Sequence, residues 1–253
     1  MDNWYLSTID EGARRVALEY GLGLEIAAFC TAWNMDERFP ETDAAVRQEI
    51  QGIPKRLFHA PFNELFPCAI DPKARALASS RYRQAITLAR SYGAAKVVIH
   101  GGYNPRLYYP VWYVEQSILF WKDFLARDPG VEIVLENVLE EEPELLSDIV
   151  KGVDSPRLRL CLDVGHVNAY SEISLFKWVE YCAPFISHFH IHNNGGSRDT
   201  HSQLFEGTIP MKALLEAMDT LCPAATATLE LTDAAPSVRW LKETIWNKSS
   251  SVR

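Results

Sequence analysis

The sequence lacks the segments that would place a chain in or across a membrane. No stretch approaches the 18 consecutive apolar residues that a transmembrane helix needs. The first residues, MDNWYLSTIDEGARR, contain no positively charged region followed by an apolar stretch, as a signal peptide would. We therefore expect no membrane partner and a cytoplasmic location.

Cysteine pairs are also missing. The five cysteines form no C-x-x-C motif and are odd in number; they are Cys30, Cys68, Cys161, Cys182 and Cys222. Cysteines of this kind are usually reduced thiols that fill the core of a cytosolic protein. We expect that state here.

Positive charge and nucleotide-binding motifs are scarce as well. The chain carries a formal net charge of −8 at pH 7, whereas a surface that binds duplex DNA usually presents a basic stripe. This balance disfavours DNA as a partner, although a local basic patch would still be compatible with it. G-x-G-x-x-G, P-loop and G-x-S-x-G motifs are absent, which argues against a nucleotide cofactor and a serine hydrolase.

Short apolar segments alternate with longer amphipathic stretches along the 253 residues. The eight strand candidates are WYLSTI, LGLEIAAF, RLFHAPF, KVVIHGG, EIVLENV, LRLCLDVGHV, ISHFHIHNN and TATLEL. Pro72, Pro143 and Pro210 stand where the first turn of a helix favours proline, and Gly93 stands where a helix would end. This pattern predicts an α/β fold, a single (β/α)₈ TIM barrel over residues 1–247, followed by a flexible tail over 248–253.

Nearly every predicted strand is apolar until its C-terminal end, where an ionisable residue appears. These residues are His59, His100, Glu136, Asp163, His190 with His192, and Glu230. A single one is typical of a satisfied polar residue in the core, but six strands ending in this way need another explanation, because buried charge is costly unless it is paired or bound to metal. TIM barrels carry their active sites at these strand ends. Ligands of the His, Asp and Glu types favour Zn²⁺ or Mn²⁺.

The stretch HFHIHNNGGSRDTH contains four of the seven histidines. Side chains alternate along a strand, so His188, His190 and His192 share one face, which predicts an inward-facing ladder with His188 deepest. Asp199 and His201 follow on the returning loop, where they are either solvated or two ligands of one ion. The pattern leaves open which histidine of the ladder is a ligand.

Several blocks of the sequence resemble the metal-binding segments of a known superfamily. LENV, CLDVGHVNAY, HFHIHNN, DTHSQLFEGTIP and LEL occur in the order found in the xylose isomerase-like TIM barrels, which include endonuclease IV (AP endonuclease family 2) and the sugar phosphate isomerases/epimerases. The resemblance covers nearly the whole chain, strand by strand. It departs from the family at Asn193, where isomerases often have an aspartate, and at Phe205, where glycine is common.

The two branches of that superfamily imply different metal sites. In the isomerase/epimerase branch His166 would touch the substrate, and one ion would be held by Glu136, Asp163, His190 and Glu230. Endonuclease IV holds three zinc ions with five further ligands, which match His59, His100, His166, Asp199 and His201. All five are present. This favours a site of two or three ions, with Zn²⁺ as the first choice and Mn²⁺ or Mg²⁺ as alternatives.

Three functions remain open on this evidence. The first is hydrolysis of a phosphate ester at a multinuclear zinc site, with Glu136 bridging two ions and a third ion holding the leaving group. The second is isomerisation or epimerisation of a sugar or sugar phosphate at a single Mn, Zn or Mg ion, with Glu136 and Glu230 as the acid/base pair. The third is non-catalytic binding of phosphate or sugar, which the intact ligand set disfavours. The predicted catalytic residues are Glu136, Glu230 and His166.

Four residues are candidates for contact with a small phosphorylated or sugar-like substrate. They are Trp33, Glu25, Tyr108 and His192. For Trp33 and Tyr108 the alternative is packing between helices, and for Glu25 it is a structural role inside the barrel. The pattern leaves the substrate itself and the oligomeric state open.

Overall fold

Eight parallel strands form a closed barrel in the computed structural model, which describes residues 3–127 and 129–246. The strands are β1 (Trp4–Ser7), β2 (Gly23–Ile26), β3 (Arg56–His59), β4 (Lys96–His100), β5 (Glu132–Glu136), β6 (Leu158–Asp163), β7 (Ile186–Ile191) and β8 (Thr226–Leu229). Each pairs with the next along the chain, and β8 closes onto β1. The predicted (β/α)₈ barrel is confirmed. The predicted tail, residues 248–253, lies outside the described residues.

Ten α-helices and one π-helix connect and follow the strands in the described part of the chain. They are α1 (Ala13–Tyr20), α2 (Ala32–Met35), α3 (Phe39–Glu49), α4 (Pro72–Ser91), α5 (Pro110–Leu125), α6 (Pro143–Val153), α7 (Val164–Tyr170), α8 (Leu175–Cys182), α9 (Met211–Leu221), α10 (Ala235–Leu241) and the π-helix Lys242–Trp246. None of these helices is long and apolar enough to cross a membrane.

Proline and glycine mark helix ends largely as predicted. Pro72 begins α4 and Pro143 begins α6, because the first turn of a helix does not need the N–H group that proline lacks. Pro210 instead lies one residue before α9, in the cap position. Gly93 follows α4 with φ 70°, a left-handed conformation that favours glycine.

Apolar residues fill two separate regions. The larger core combines strand and helix residues, among them Phe189 and Trp121. Val98, Val134 and Cys161 form a small cluster of their own, one from each of three neighbouring strands. Phe189 belongs to the larger core, as expected if the histidines on either side of it in β7 point into the barrel.

Strand register brings the polar strand ends together. His100 lies beside Glu136 across β4 and β5, and Asp163 lies beside His190 across β6 and β7. In a parallel barrel all C-terminal strand ends meet at the same rim. This rim, the mouth of the barrel, therefore collects the ionisable residues that interrupt the apolar strands.

The five cysteines, all within the described part of the chain, are free thiols, as predicted. Four of them are buried, and Cys30 is half-buried. Burial raises the pKa of Cys161 and of Cys182 to about 12, so both stay protonated at neutral pH. These thiols behave as small apolar side chains.

Candidate metal centre

Three carboxylates surround one buried histidine at the mouth. The Nδ1 atom of His190 lies 3.2 Å from Glu230 Oε2 and 3.3 Å from Glu136 Oε1. Asp163 Oδ2 lies 3.7 Å from the same nitrogen. These four side chains offer one ligand atom each within 4.8 Å of one another, close enough to hold a single ion. They are the four residues predicted for the metal site common to the superfamily.

The second oxygen of Glu136 faces a different pair of histidines. Glu136 Oε2 lies 3.2 Å from Nε2 of His59 and 3.4 Å from Nε2 of His100. These three side chains also converge within the reach of one ion. Glu136 is therefore shared by two groups of candidate ligands, one on each of its oxygens.

A third group gathers around Asp199. Its Oδ2 atom lies 2.9 Å from Nε2 of His201 and 3.2 Å from Nε2 of His166. His201 adopts a left-handed backbone conformation, with φ 46°, which is uncommon for a residue other than glycine. The loop that follows β7 thus brings Asp199 and His201 back to the mouth, and their binding of one ion stays a prediction.

Three of the predicted ligand histidines share one hydrogen-bonding pattern. Nδ1 bonds to a backbone carbonyl in His59 (2.9 Å, to Ala60), His166 (2.8 Å, to Asn137) and His201 (2.8 Å, to Glu230). A carbonyl can only accept, so each Nδ1 carries a proton, and in the neutral ring Nε2 keeps its lone pair. In all three that Nε2 faces a carboxylate. Histidines that bind metal typically donate their other N–H group in this way.

His192, predicted to contact substrate, lies among the candidate ligands. Its Nε2 atom is 3.1 Å from Asp163 Oδ1, and its ring stacks on His201 with centroids 4.0 Å apart. His192, His201 and Glu230 converge closely enough for one ion. A side chain at Gly165 would place its Cβ 1.9 Å from the His192 ring, so the glycine of the DVGH motif is needed to seat this histidine.

These ten side chains are called the mouth cluster below. They are His59, His100, Glu136, Asp163, His166, His190, His192, Asp199, His201 and Glu230.

Hydrogen bonds within the mouth cluster are incomplete, and the gaps suit a cation. Among the described residues, both ring nitrogens of His190, Nδ1 of His192 and Oδ1 of Asp199 are buried without a hydrogen-bond partner. An unsatisfied buried polar group costs about 1–3 kcal/mol. The unpartnered atoms are three imidazole nitrogens and one carboxylate oxygen, which are the atom types that coordinate metal ions. Nitrogen and carboxylate ligands in this number fit Zn²⁺ or Mn²⁺.

The carboxylates of the mouth cluster are held in the ionised form. Burial would raise the pKa of Glu136, but His190 and His100 hold it well below its usual range. The pKa of Glu230 is lowered in the same way, against burial, by His190. That of Asp163 is lowered too. At neutral pH the centre therefore presents ionised carboxylates to an incoming ion.

The remaining predicted substrate contacts lie at different depths. Trp33 is 56% exposed on α2, where its Nε1–H donates to Glu37 at 2.8 Å. Tyr108 is half-buried and its ring packs against that of Phe66. Glu25 is fully buried inside the barrel. Their contact with substrate stays a prediction.

The structure adds one residue that the sequence did not single out. Asn137 follows Glu136 directly; its side chain donates to the Asp163 carbonyl (3.0 Å) and accepts from the Asp163 N–H (2.9 Å). The backbone carbonyl of Asn137 accepts the Nδ1–H hydrogen bond that orients the His166 ring. Asn137 therefore joins the ends of β5 and β6. The LENV block already contained this signal, because an asparagine beside a buried strand end needs partners for its amide.

The scaffold that carries these residues belongs to a known family. Residues 13–245 match the family model described as xylose isomerase-like TIM barrel. The chain belongs to this family. A relative, the uncharacterized protein MJ1311 of Methanocaldococcus jannaschii, is 32% identical over 203 residues, which are 73% of this chain and 68% of that protein.

Two solved structures share the whole barrel with this chain. A D-tagatose 3-epimerase-like protein is 25% identical with a TM-score of 0.82, and the match covers 99% of this chain and 100% of that one. The TTHB071 protein from Thermus thermophilus, solved after soaking with ZnCl₂, is 24% identical with a TM-score of 0.78, covering 97% of this chain and 98% of that one. At the latter identity the likeness concerns the fold alone.

Proposed function

We propose that the chain is a divalent-metal-dependent enzyme that hydrolyses a small phosphate ester at a multinuclear site, with zinc as the preferred metal. The observation that supports this most directly is the position of Glu136, whose two oxygens face two separate groups of ligands. A carboxylate shared in this way suits a bridge between two ions. A single-ion enzyme would leave His59 and His100 without a role.

Each ion would have its own ligands. The first would be held by His59, His100 and Glu136. The second would be held by Glu136, Asp163, His190 and Glu230. The third would be held by His166, Asp199 and His201, with His192 beside them. Ions held by these residues would supply an activated water and would stabilise the entering and leaving oxygens of the phosphoryl group.

The protein side chains would position the ester and keep the centre charged. His166 donates Nδ1–H to Asn137 and faces Asp199 through Nε2, so its ring is fixed at the edge of the mouth, where substrate would contact it. Glu230 is the more exposed of the two glutamates, with 14% of its side chain accessible against 1% for Glu136. Glu230 is therefore the one we assign to proton transfer with solvent or substrate.

A second candidate is a sugar or sugar-phosphate isomerase or epimerase that uses one ion. It is favoured by the likeness to the D-tagatose 3-epimerase-like protein over the whole barrel. Glu136 and Glu230 both face His190 Nδ1, at 3.3 and 3.2 Å, so both carboxylates lie next to the same position. One could remove a proton from a carbon next to a carbonyl while the other returns it.

The substrate on either account is a small molecule, phosphorylated or sugar-like. The net charge of −8 disfavours a nucleic-acid duplex. The free thiols fit a reducing compartment, which supports our assignment to the cytoplasm.

One screen separates the two activities. The full chain, saturated in turn with Zn²⁺, Mn²⁺ and Mg²⁺, would be assayed for phosphate release from phosphomonoesters and for cleavage of phosphodiesters and of DNA containing abasic sites. In parallel, ketoses and ketose phosphates would be incubated with it in deuterated water. We expect ester cleavage without deuterium entering a carbon–hydrogen bond. Deuterium incorporation without ester cleavage would replace the hydrolase by the epimerase.

A further inference from the structure

A second polar group of residues lies below the mouth cluster, inside the barrel. It consists of Glu25, His188, Thr226, Thr228 and Lys96 and is called the lower cluster. Glu25, His188 and Thr228 have no solvent exposure at all. An ionised carboxylate at such a position is costly unless donors surround it.

The hydrogen bonds of the lower cluster form a directed chain. The Lys96 ammonium can only donate, and its Nζ lies 3.2 Å from Thr226 Oγ1. The Thr226 hydroxyl is then free to donate to His188 Nδ1 at 2.7 Å, a shorter contact than its 3.2 Å alternative to the Ser187 carbonyl. That leaves the proton of His188 on Nε2.

This series of hydrogen bonds ends on one oxygen of Glu25. His188 Nε2 lies 3.2 Å from Glu25 Oε2 and 3.0 Å from Thr228 Oγ1. The Thr228 hydroxyl donates to the same Glu25 oxygen at 2.6 Å. Oε2 therefore has its donors, and the carboxylate cannot turn without breaking these bonds.

The other oxygen of Glu25 points toward the mouth. Glu25 Oε1 lies 3.0 Å from Nε2 of His190, although the two atoms are not in hydrogen-bond geometry and neither has another partner. The opposite nitrogen of the same ring, Nδ1, faces Glu136 and Glu230. His190 thus stands between a fixed carboxylate below and the candidate metal position above.

We propose that Glu25 is a positioning residue, whose fixed carboxylate keeps the proton of His190 on Nε2 and so presents the Nδ1 lone pair to the metal. The inference rests on the proposed function, in which His190 is a metal ligand. A carboxylate behind a metal-bound histidine fixes the tautomer and orientation of the ring and raises its basicity. This gives Glu25 a role other than the predicted substrate contact, because a substrate at the mouth would meet His190 first.

Two isosteric substitutions on one strand provide a matched test. Thr228→Val removes the shortest hydrogen bond to Glu25, whereas Thr226→Val, two residues earlier on β8, removes a hydroxyl that touches His188 but not Glu25. Glu25→Gln removes the charge itself. Zn²⁺ affinity would be measured by competition with a chromophoric chelator, and the environment of the ion by the visible spectrum of the Co²⁺-loaded chain.

Glu25→Gln should weaken the tightest site by about 10- to 100-fold and shift the Co²⁺ bands, as expected for loss of a carboxylate behind a ligand histidine. Thr228→Val should weaken it less, and Thr226→Val least. A residue that served only the stability of the barrel would lower the melting temperature and leave both metal readouts unchanged.

The outcomes separate this inference from the function it rests on. A wild-type chain that binds neither Zn²⁺ nor Co²⁺ would overturn the proposed function and the role of Glu25 together. A wild-type chain that binds both, with wild-type affinity and spectrum in Glu25→Gln, would overturn the role of Glu25 alone. Should Glu25→Gln fail to fold, equal Zn²⁺ affinities for Thr228→Val and Thr226→Val would overturn it.

Discussion

His188 and His190 are two residues apart on the same strand, yet their surroundings differ in kind. Both nitrogens of His188 have hydrogen-bond partners among Thr226, Thr228 and Glu25, and burial lowers the pKa of His188 to about 4. Neither nitrogen of His190 has a hydrogen-bond partner among the described residues. Burial alone would lower the pKa of His190 as well, but its acidic neighbours raise it well above the usual range.

This difference separates two kinds of buried polar cluster. In the lower cluster Glu25 Oε2 and both nitrogens of His188 have hydrogen-bond partners, and Glu25 Oε1 is its one buried side-chain atom left without a partner among the described residues. The mouth cluster has three buried imidazole nitrogens and one carboxylate oxygen without partners, an arrangement that is costly unless another group, such as a metal ion, binds them. We infer that the lower cluster supports the ligand His190, whereas the mouth cluster binds the metal.

The largest effect is expected from substitution of Glu136, the carboxylate that two groups of ligands in the mouth cluster share. Glu136→Gln keeps the shape of the side chain but weakens both ligand groups, so metal-dependent activity should fall by more than about 100-fold, beyond the loss typical of a residue that only supports a ligand. Steady-state kinetics at saturating metal would measure it, with circular dichroism to verify the fold.

Glu132→Gln provides the control, because it makes the same substitution at the opposite end of β5. Glu132 accepts from Ser187 and pairs with Lys96 at 3.4 Å, away from the mouth. This variant should retain its activity. Near-normal turnover of metal-loaded Glu136→Gln would mean that the mouth cluster is not the reaction site.

The next effect in size is on stability: removal of the metal should lower the free energy of unfolding of the barrel. If the mouth cluster needs a cation, free Zn²⁺ at a hundred times its Kd adds about 2.7 kcal/mol to the free energy of unfolding. Urea unfolding of the wild-type chain with and without chelator would show the difference, and Glu136→Gln should show much less of it. Identical unfolding curves for the wild type would mean that its mouth cluster does not need a cation.

The smallest effect concerns a carboxylate that belongs to neither cluster. Burial, aided by the charge of Asp10, raises the pKa of half-buried Glu49 to about 7, whereas histidines lower those of the mouth carboxylates. A raised carboxyl pKa favours the protonated form in the folded state, so this residue costs stability as the pH rises from about 4.5 through 7.

Glu49→Gln should therefore stabilise the chain at pH 8 by an amount on the order of 1 kcal/mol, after discounting for solvent screening, and leave it unchanged near pH 4. Thermal melts at the two pH values measure this. If Glu49→Gln stabilised the chain equally at both pH values, burial of a carboxylate without a positive partner would not explain the raised pKa of Glu49.

The fold and the convergence of the polar strand ends followed from sequence because both depend on pattern. Apolar strands that end in Glu136, Asp163 or His100 place their polar residues at one rim in any parallel barrel. How deeply each side chain lies below that rim depends on side-chain packing, which the sequence pattern of apolar and polar residues does not encode. The sequence therefore grouped Glu25 with Trp33, although one is enclosed in the barrel and the other is exposed.

Local contacts explain what the sequence could not assign. His192 was expected to touch substrate, but its place beside Asp163 depends on the space left by Gly165, a relation between two separate elements. The supporting role of Asn137 likewise depends on the register of β5 with β6. Neither contact is visible in the linear spacing of the residues.

The most direct test of the central claim is the number of ions that the mouth cluster holds. Elemental analysis of gently purified, zinc-saturated chain should give two or three ions per chain. His59→Ala and His100→Ala should each lower that number without emptying the site, because Asp163, His190 and Glu230 would remain. One ion per chain, unchanged in both variants, would contradict the multinuclear site and leave only the single-ion epimerase.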